Sequence, residues 1–337
     1  MEKKYKNGLV LCKFYPPHSG HLYLIDTAFD NCENVHVICT HNKEQSIPGE
    51  VRVNALKNIY KDIPNIKIYS VSDDGIPQYD HECKTLDEFY SYWVPLVYNN
   101  VKELDVVFTS ENYGDDFAKY LGIEHFLVDK ERKRYPISGT KIRSNPFYNW
   151  EFIPNEMKPF FVKRVVIMGP ESVGKSTLTG KIATYFNTNF VEEYGRTVYE
   201  QNGNKVTIND FIPISKGRQK IEDEKIKSSN KLLICDTEDI TTFIFSEMYC
   251  PENCTYVKNW FEKEIKNKSK YDLYILLKPD CDAIQDGTRN FLEERWDHFY
   301  EIKNRLIEYD CNYVEVGGDW DNRFQDSINL IKLEFNI

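Results

Sequence analysis

The segment "GPESVGKST", residues 169–177, fits the pattern G-x-x-x-x-G-K-[S/T] and lies between a β-rich run, "RVVIMG", and a helical one, "KSTLTGKIATYF". A strand that turns through such a loop into a helix aims consecutive backbone N–H groups at one point, which suits a phosphate chain. Gly169 and Gly174 permit the turn, and Glu171, Ser172 and Val173 supply loop amides. Lys175 then reaches the β- and γ-phosphates, while Ser176, followed by Thr177, offers a hydroxyl to Mg2+.

A second cluster occupies "KFYPPHSGH", residues 13–21, where His18 and His21 stand at the predicted start of a helix. Free N–H groups there favour an anion and disfavour an imidazolium, so both rings are expected neutral, in an exposed Pro-Ser-Gly turn. Contact with phosphate, binding of a metal and simple packing all stay open on local chemistry, although a metal would lack a third ligand. "YPISGTKIRSNP", residues 135–146, places Ser138, Thr140 and Arg143 where another helix would begin. Alone they serve equally well as an N-cap and a surface charge. Beside the histidine pair in one domain, they form a second anion-binding group.

Other residues carry weaker signals. Asp236 ends "KLLICD", at the strand end where parallel sheets display functional groups, and reads as a carboxylate near Mg2+ or as a helix cap. "VEEYGR" offers Glu193 and Arg196 to substrate hydroxyls or a reacting phosphate. "DGTRNFLEER" offers Arg289 and Arg295 as cations of a lid, or as members of an ion-paired helix face. Trp93, in "SYWVPLV", is expected in the core, with stacking on a substrate ring as the alternative.

These residues need strands and helices to position them, and 337 residues suffice for two α/β domains in series. "GLVLCKF", a helix carrying Leu22, Ile25, Phe29 and Cys32, and "VHVICT" make a βαβ opening in the first half. "RVVIMG", "NFVEEY", "KLLICD", "YDLYILLK" and "NYVEV" are strands of the second, with helical segments between them. Alternation of this kind means parallel sheets covered on both faces. The proline-bearing stretch "NPFYNWEFIPNEMKPFF" sets the boundary near residue 155, giving domains 1–155 and 156–337.

A net charge of −10 argues against broad contact with nucleic acid or anionic lipid, and no run is long or apolar enough for a membrane span. Nine cysteines without framework spacing, including the pair in "CPENC", imply free thiols in a reducing cytoplasm rather than a zinc site.

"FYPPHSGH" and "ISGTKIR" resemble the HxGH and ISxTxxR motifs of nucleotidyltransferases, and "TSENYGDDFAKYLG" and "LVDKERKRYPISGTKIR" narrow the likeness to nicotinamide-nucleotide adenylyltransferases of the NadR type. The P-loop, "EEYGR", "CDTE" and "DGTR" follow in the order of the ribosylnicotinamide kinase half of that bifunctional family. The resemblance implies two doubly wound parallel-sheet α/β domains, a Rossmann-like nucleotidyltransferase followed by a P-loop kinase. It further implies phosphorylation of ribosylnicotinamide to the mononucleotide (NMN) and adenylylation of NMN to NAD, both with ATP and Mg2+. His18 and His21 would contact ATP phosphates, and Ser138, Thr140 and Arg143 would hold the triphosphate tail, assisted by Lys13 and Arg52 and by Phe14 in the same loop. Trp93, otherwise expected in the core, would be the candidate to stack on the nicotinamide ring. Lys175 and Asp236 would serve phosphoryl transfer, with Asp236 as base or magnesium ligand and Arg289 and Arg295 as further ATP contacts. Two positions depart from the family pattern: Cys12 stands where many relatives have glycine, and Glu238 makes "DTE" of the usual DTD. The first strand begins near Gly8, leaving no room for a preceding DNA-binding domain, so no nucleic-acid partner is expected; a homo-oligomer is left open. The alternatives are the same reactions on a flavin or pantetheine substrate, and a NAD sensor without turnover.

Overall fold

The computed structural model describes residues 3–253, 255–266, 271–282 and 293–337. The chain divides into two compact units, Met1–Phe160 and Phe161–Ile337. Sequence placed the division near 155. The proline-bearing stretch folds onto the first unit, because Phe147, Trp150, Ile153 and Met157 are buried and the Phe152 carbonyl accepts a 3.2 Å hydrogen bond from the Ser19 hydroxyl.

In the first unit β1 (Tyr5–Cys12) leads through α1 (Ser19–Asn31) directly into β2 (Cys32–His41). The chain continues as α2 (Gly49–Ile59), β3 (Ile66–Ser72), α3 (Leu86–Asn100), β4 (Val106–Thr109), α4 (Gly114–Leu121), β5 (Glu124–Leu127) and the short α5 (Gly139–Ser144). All strand pairs are parallel, in the order β3-β2-β1-β4-β5. Leu9 and Val10 are wholly buried on opposite faces of β1, as a central strand covered by helices on both sides requires. One core gathers Leu24, Ile25 and Ala28 of α1 with Val53 and Leu56 of α2; the other gathers Tyr90, Trp93 and Val97 of α3 with Phe117 and Leu121 of α4. Their three- and four-residue spacing is the amphipathic period of a helix lying on a sheet.

In the second unit the elements are β6 (Lys163–Met168), α6 (Lys175–Tyr185), β7 (Asn189–Val191), α7 (Tyr194–Gln201), α8 (Phe211–Lys225), β8 (Leu232–Asp236), α9 (Asp239–Tyr249), α10 (Thr255–Lys266), β9 (Leu273–Leu277), α11 (Arg295–Glu308), β10 (Tyr313–Val316) and α12 (Trp320–Phe335). The sheet order is β10-β9-β6-β8-β7, again parallel throughout. The expected strand "NFVEEY" is only three residues long here, since Glu193 already caps α7.

Both sheets reverse their strand order beside the first strand of the unit. At such a switch point the loops beyond neighbouring carboxyl ends diverge and leave a crevice. The His18–His21 loop leaves β1 and the phosphate-loop pattern leaves β6, so each motif stands at its unit's crevice.

Candidate functional sites

His18 is the N-cap of α1, and its Nδ1 accepts a 3.3 Å hydrogen bond from the His21 backbone N–H. An accepting Nδ1 carries no proton, so the neutral ring bears its hydrogen on Nε2 and is a donor there. His21 stacks on it with ring centroids 3.7 Å apart, and its buried Nδ1 has no hydrogen-bond partner among the described residues. Burial, followed by the neighbouring Arg132, lowers the His18 pKa to about 4. Burial, then His18 and Arg132, holds His21 well below the ordinary histidine value. The neutral rings therefore follow chiefly from desolvation rather than from the helix field. The turn is also not the exposed one expected, since Phe14, Pro16, Pro17 and His18 are all buried.

Phe14 takes a left-handed φ of 45°, uncommon for a bulky residue, and sets its ring 4.9 Å from that of His21. Ser138 is the N-cap of α5, accepting from the Lys141 N–H at 3.3 Å, and it also lines the histidine cavity with Gly139 and Arg132. Any Cβ at position 139 would lie 2.3 Å from the Tyr15 carbonyl oxygen, so glycine permits this close approach of α5 to the histidine loop. Arg143 donates to that same Tyr15 carbonyl and, at 3.3 Å, to the Thr140 hydroxyl, with both side chains exposed outside the cavity wall.

Arg52 occupies a different setting from the one its expected role suggested. Its guanidinium is wholly buried, donating at 2.5 Å to the Lys13 carbonyl, at 2.6 Å to Gln45 Oε1, and at 3.4 Å to the Thr40 and Pro48 carbonyls. These bonds make it a clamp on the loop that carries Lys13 and leave it no free face for a phosphate tail.

Beyond Cys12 and Tyr113, which line both spaces, lies a second cavity of about 490 Å3. Phe89, Tyr90 and Trp93 form its apolar wall, and Lys13 is on its rim. Trp93 is thus both core and cavity wall, and its indole N–H donates to the Pro77 carbonyl at 3.1 Å. Burial pushes the Cys12 thiol up to about 12, so cysteine at this position is an uncharged small group.

In the second unit Gly169, Ser172 and Gly174 all have positive φ, at 148°, 60° and 82°, curling the loop. A Cβ on Gly174 would lie 2.0 Å from the Trp320 ring, so the position combines left-handed backbone with close approach. The buried Arg323 donates to the Val173 carbonyl at 2.8 Å and to the Lys278 carbonyl at 2.9 Å, tying the loop to the end of β9. Lys175 is buried, with its ammonium 2.9 Å from the Pro170 carbonyl, whereas Ser176 and Thr177 are exposed on the first turn of α6.

Asp236, at the end of β8, is 1% exposed, and neither carboxylate oxygen has a hydrogen-bond partner among the described residues. Burial and then Glu193 raise its pKa to about 6, against the pull of Lys175, the Ser176 hydroxyl and Arg196. The α9 cap is instead Glu238, whose carboxylate accepts from the Ile240 and Thr241 N–H groups at 2.8 and 3.1 Å. Burial raises that carboxyl to about 7.

Glu193 and Arg196 pair with each other at 3.6 Å and line one cavity with Glu171, Ser172 and Lys175. Tyr199, Phe211, Phe245 and Tyr249 complete its aromatic side. Among the described residues Arg295 bonds the Pro279 and Cys281 carbonyls at 3.1 and 2.7 Å and forms no ion pair. Arg289 lies outside the described residues, as does Cys254 of "CPENC".

Sequence reasoning passed over Arg132 and Arg218. Arg132 was in view within the basic run "DKERKR", and it faces the histidines while bonding Glu111 at 2.6 Å. Arg218 is buried between Asp239, at 2.5 Å, Glu222 and Tyr271. Its signal was the four-residue spacing to Glu222 in "GRQKIE". Among the described residues no group of three His, Cys, Asp or Glu side chains could hold a metal, and no helix is long and apolar enough to cross a membrane.

A buried histidine pair at one switch point and a curled phosphate loop at the other define the class: a nucleotidyltransferase fold joined in one chain to a P-loop kinase fold. Residues 8–135 match the family described as citrate lyase ligase C-terminal domain, and residues 164–323 match the AAA domain family. The Trifunctional NAD biosynthesis/regulator protein NadR of Escherichia coli K12 is 32% identical over 357 residues, covering 96% of this chain and 82% of the relative. The chain belongs to the NadR family. Two crystal structures of NadR protein share its fold. One, in complex with NR, has a TM-score of 0.83 at 21% identity, covering 100% of this chain and 98% of the other. The second, in complex with NAD and AMP-PNP, has a TM-score of 0.81 at 22% identity with the same coverage.

Proposed function

We propose that the second unit phosphorylates ribosylnicotinamide with ATP and that the first adenylylates the resulting NMN to NAD, releasing pyrophosphate. The observation that carries this reading is the presence of two separate phosphate-type loops, each at the switch point of its own parallel sheet.

For adenylyl transfer, an oxygen of the NMN phosphate forms a bond to the α-phosphorus of ATP as the bond to the pyrophosphate oxygen breaks. The nucleophile is already an anion, so no side chain need remove a proton. Two neutral imidazoles suit this step, because they donate hydrogen bonds to the phosphates and add no charge that would hold pyrophosphate back. Ser138, Thr140, Arg143 and Arg132 supply further donors, and Lys13 adds a charge on the side of the aromatic cavity.

For phosphoryl transfer, the 5′-hydroxyl oxygen attacks the γ-phosphorus, ADP leaves, and the hydroxyl proton goes to Asp236 or to solvent. Asp236 suits this role because a carboxylate with pKa about 6 is ionised at neutral pH yet basic for its type. Its two carboxylate oxygens, unpartnered among the described residues and with Ser176 alongside, also fit a hard cation with oxygen ligands. Ser176 and Asp236 would hold Mg2+, which when bound would offset the charge of the phosphates. Glu193 and Arg196 would then orient the ribose and the transferring group. Nine cysteines without framework spacing and the acidic net charge support a cytoplasmic enzyme of small-molecule substrates.

Supplying ribosylnicotinamide, ATP and Mg2+ and following products over time tests the reading. Lys175→Ala should block NMN formation yet still convert added NMN to NAD, whereas His18→Ala should let NMN accumulate. Folded variants that each lost both activities would overturn the division of labour.

A further inference from the structure

The first turn of α11 carries a buried polar ring that has no role in the steps above. His298 is 4% exposed, and neither Nδ1 nor Nε2 has a hydrogen-bond partner among the described residues. The ring stands edge-on to Phe245 of α9, with centroids 5.3 Å apart, and Phe245 lines one cavity with Lys175 and Thr241. Two ties hold it there. Arg295, one turn earlier, donates to the Cys281 carbonyl, and the Cys281 thiol donates at 3.7 Å to the carbonyl of Ser172 in the phosphate loop. Further along, Arg305 donates at 2.8 Å to Glu247 and fastens α11 to α9.

Burial, and then the field of Lys175, lowers the His298 pKa to about 4, so the ring is neutral at pH 7. A neutral imidazole has one N–H and one bare nitrogen, and here both stand unmatched beside an aromatic ring. Phenylalanine would fill the same space with no polar atom to bury, and buried polar atoms are seldom left unpaired. The unmatched N–H calls for an acceptor that arrives with a ligand. Beside the lysine of a phosphate loop, that acceptor is a phosphate oxygen. The loop amides enclose the β-phosphate, whereas Phe245 belongs to the wall shared with Glu193 and Arg196, the side toward which the transferring group points.

We propose that His298 donates a hydrogen bond to the γ-phosphoryl group of ATP, beside Lys175, as a further catalytic residue of the kinase. The inference rests on the kinase reading of the second unit. In the transfer, phosphorus exchanges the oxygen of ADP for the 5′-oxygen and keeps its other three. A donor aimed at one of those three stays engaged throughout, and no proton changes hands at the ring. Being neutral, it adds no charge that would hold the phosphorylated product.

The test compares AMP-PNP and ADP as inhibitors of ribosylnicotinamide consumption, each competing with ATP, so that only the kinase site is read and the active fraction cancels from the ratio. His298→Phe keeps a ring of similar shape and removes both nitrogens. It should cut the preference for AMP-PNP over ADP by about 10- to 100-fold, the effect of losing one hydrogen bond to a charged acceptor. Phosphorylation at saturating substrates should slow by a similar factor. His298→Leu, a smaller side chain, repeats the comparison in case phenylalanine overfills the site. Equal weakening of both inhibitors is what a packing role predicts and would overturn the assignment, as would an unchanged preference or phosphorylation at the wild-type rate. A wild-type chain that left ribosylnicotinamide unphosphorylated would instead bring down the kinase reading, and this contact with it.

Discussion

Asp236→Asn separates what the phosphoryl-transfer site needs from what the fold prefers. The side chain is almost wholly buried, so ionisation is costly in the folded state. Burial and Glu193 raise its pKa from 3.8 to about 6. At about 1.4 kcal/mol per pH unit, this displacement corresponds to roughly 3 kcal/mol. The sign follows from proton binding. Between pH 3.8 and about 6 the folded chain holds a proton that the unfolded chain has released, so stability declines as pH rises through that window. Above it, the full penalty is present. A neutral isostere escapes the penalty, and Asp236→Asn should stabilise the second unit by up to about 3 kcal/mol at pH 8 but only by about 1 kcal/mol at pH 4.5. The asparagine amide still lacks partners, which takes back a similar amount at both values and leaves the pH dependence intact. Thermal or urea denaturation of both proteins at the two pH values measures this, and a product assay should show phosphorylation reduced by at least about 100-fold. An advantage for the variant that was flat or inverted with pH would refute the reasoning, as would retained phosphorylation.

Without Mg2+, the Asp236 carboxyl should take up a proton as pH drops below about 6, and Glu193→Gln should move that uptake to lower pH by removing the second cause of the raised value, which infrared titration of the carboxylate band would read. Adenylyl transfer should show no histidine inflection between pH 5.5 and 8, because His18 titrates near 4 and His21 lies well below its ordinary value; a step near 6.5 that His18→Gln abolished would contradict this. Arg52→Met should destabilise the first unit by about 2–4 kcal/mol, since it strands the Lys13 carbonyl and Gln45 in a buried setting, and chemical denaturation would read the loss. Gly174→Ala should abolish phosphorylation while sparing adenylyl transfer, because the new Cβ meets the Trp320 ring on left-handed backbone; normal turnover of ribosylnicotinamide would show that the loop tolerates a shift there.

Hydrophobic periodicity and punctuation were enough to read the architecture. Central strands such as "GLVLC" and "RVVIM" are continuous apolar runs because both faces of a parallel sheet are covered, and the glycine-bearing loops after them mark where the crevices open. The boundary was less legible. Prolines in the stretch before Phe160 suggested a linker, yet Trp150 and Met157 pack it onto the first unit, and burial against non-local neighbours leaves no local pattern.

Among the candidate site residues, the same distinction between local and non-local causes decides whose placement could be read. The histidine pair, Ser138 and the phosphate loop stand at helix starts, and a helix start is written in a few consecutive residues. Arg52 illustrates the opposite case. An arginine in "IPGEVRV" reads as a free cation near a phosphate until the fold brings the Lys13 and Thr40 carbonyls and Gln45 around it. Its charge is consumed in holding the loop, while Arg132, unremarkable within a basic run, is the cation that faces the histidines and helps keep them neutral. An excess of nearby positive charge therefore does two things at once: it discourages protonation of the imidazoles and favours the anion they would bind. Replacing Arg132 should relax the first constraint and weaken the second, so the histidine pair and its arginine neighbour form one electrostatic unit, although they lie more than a hundred residues apart in the chain.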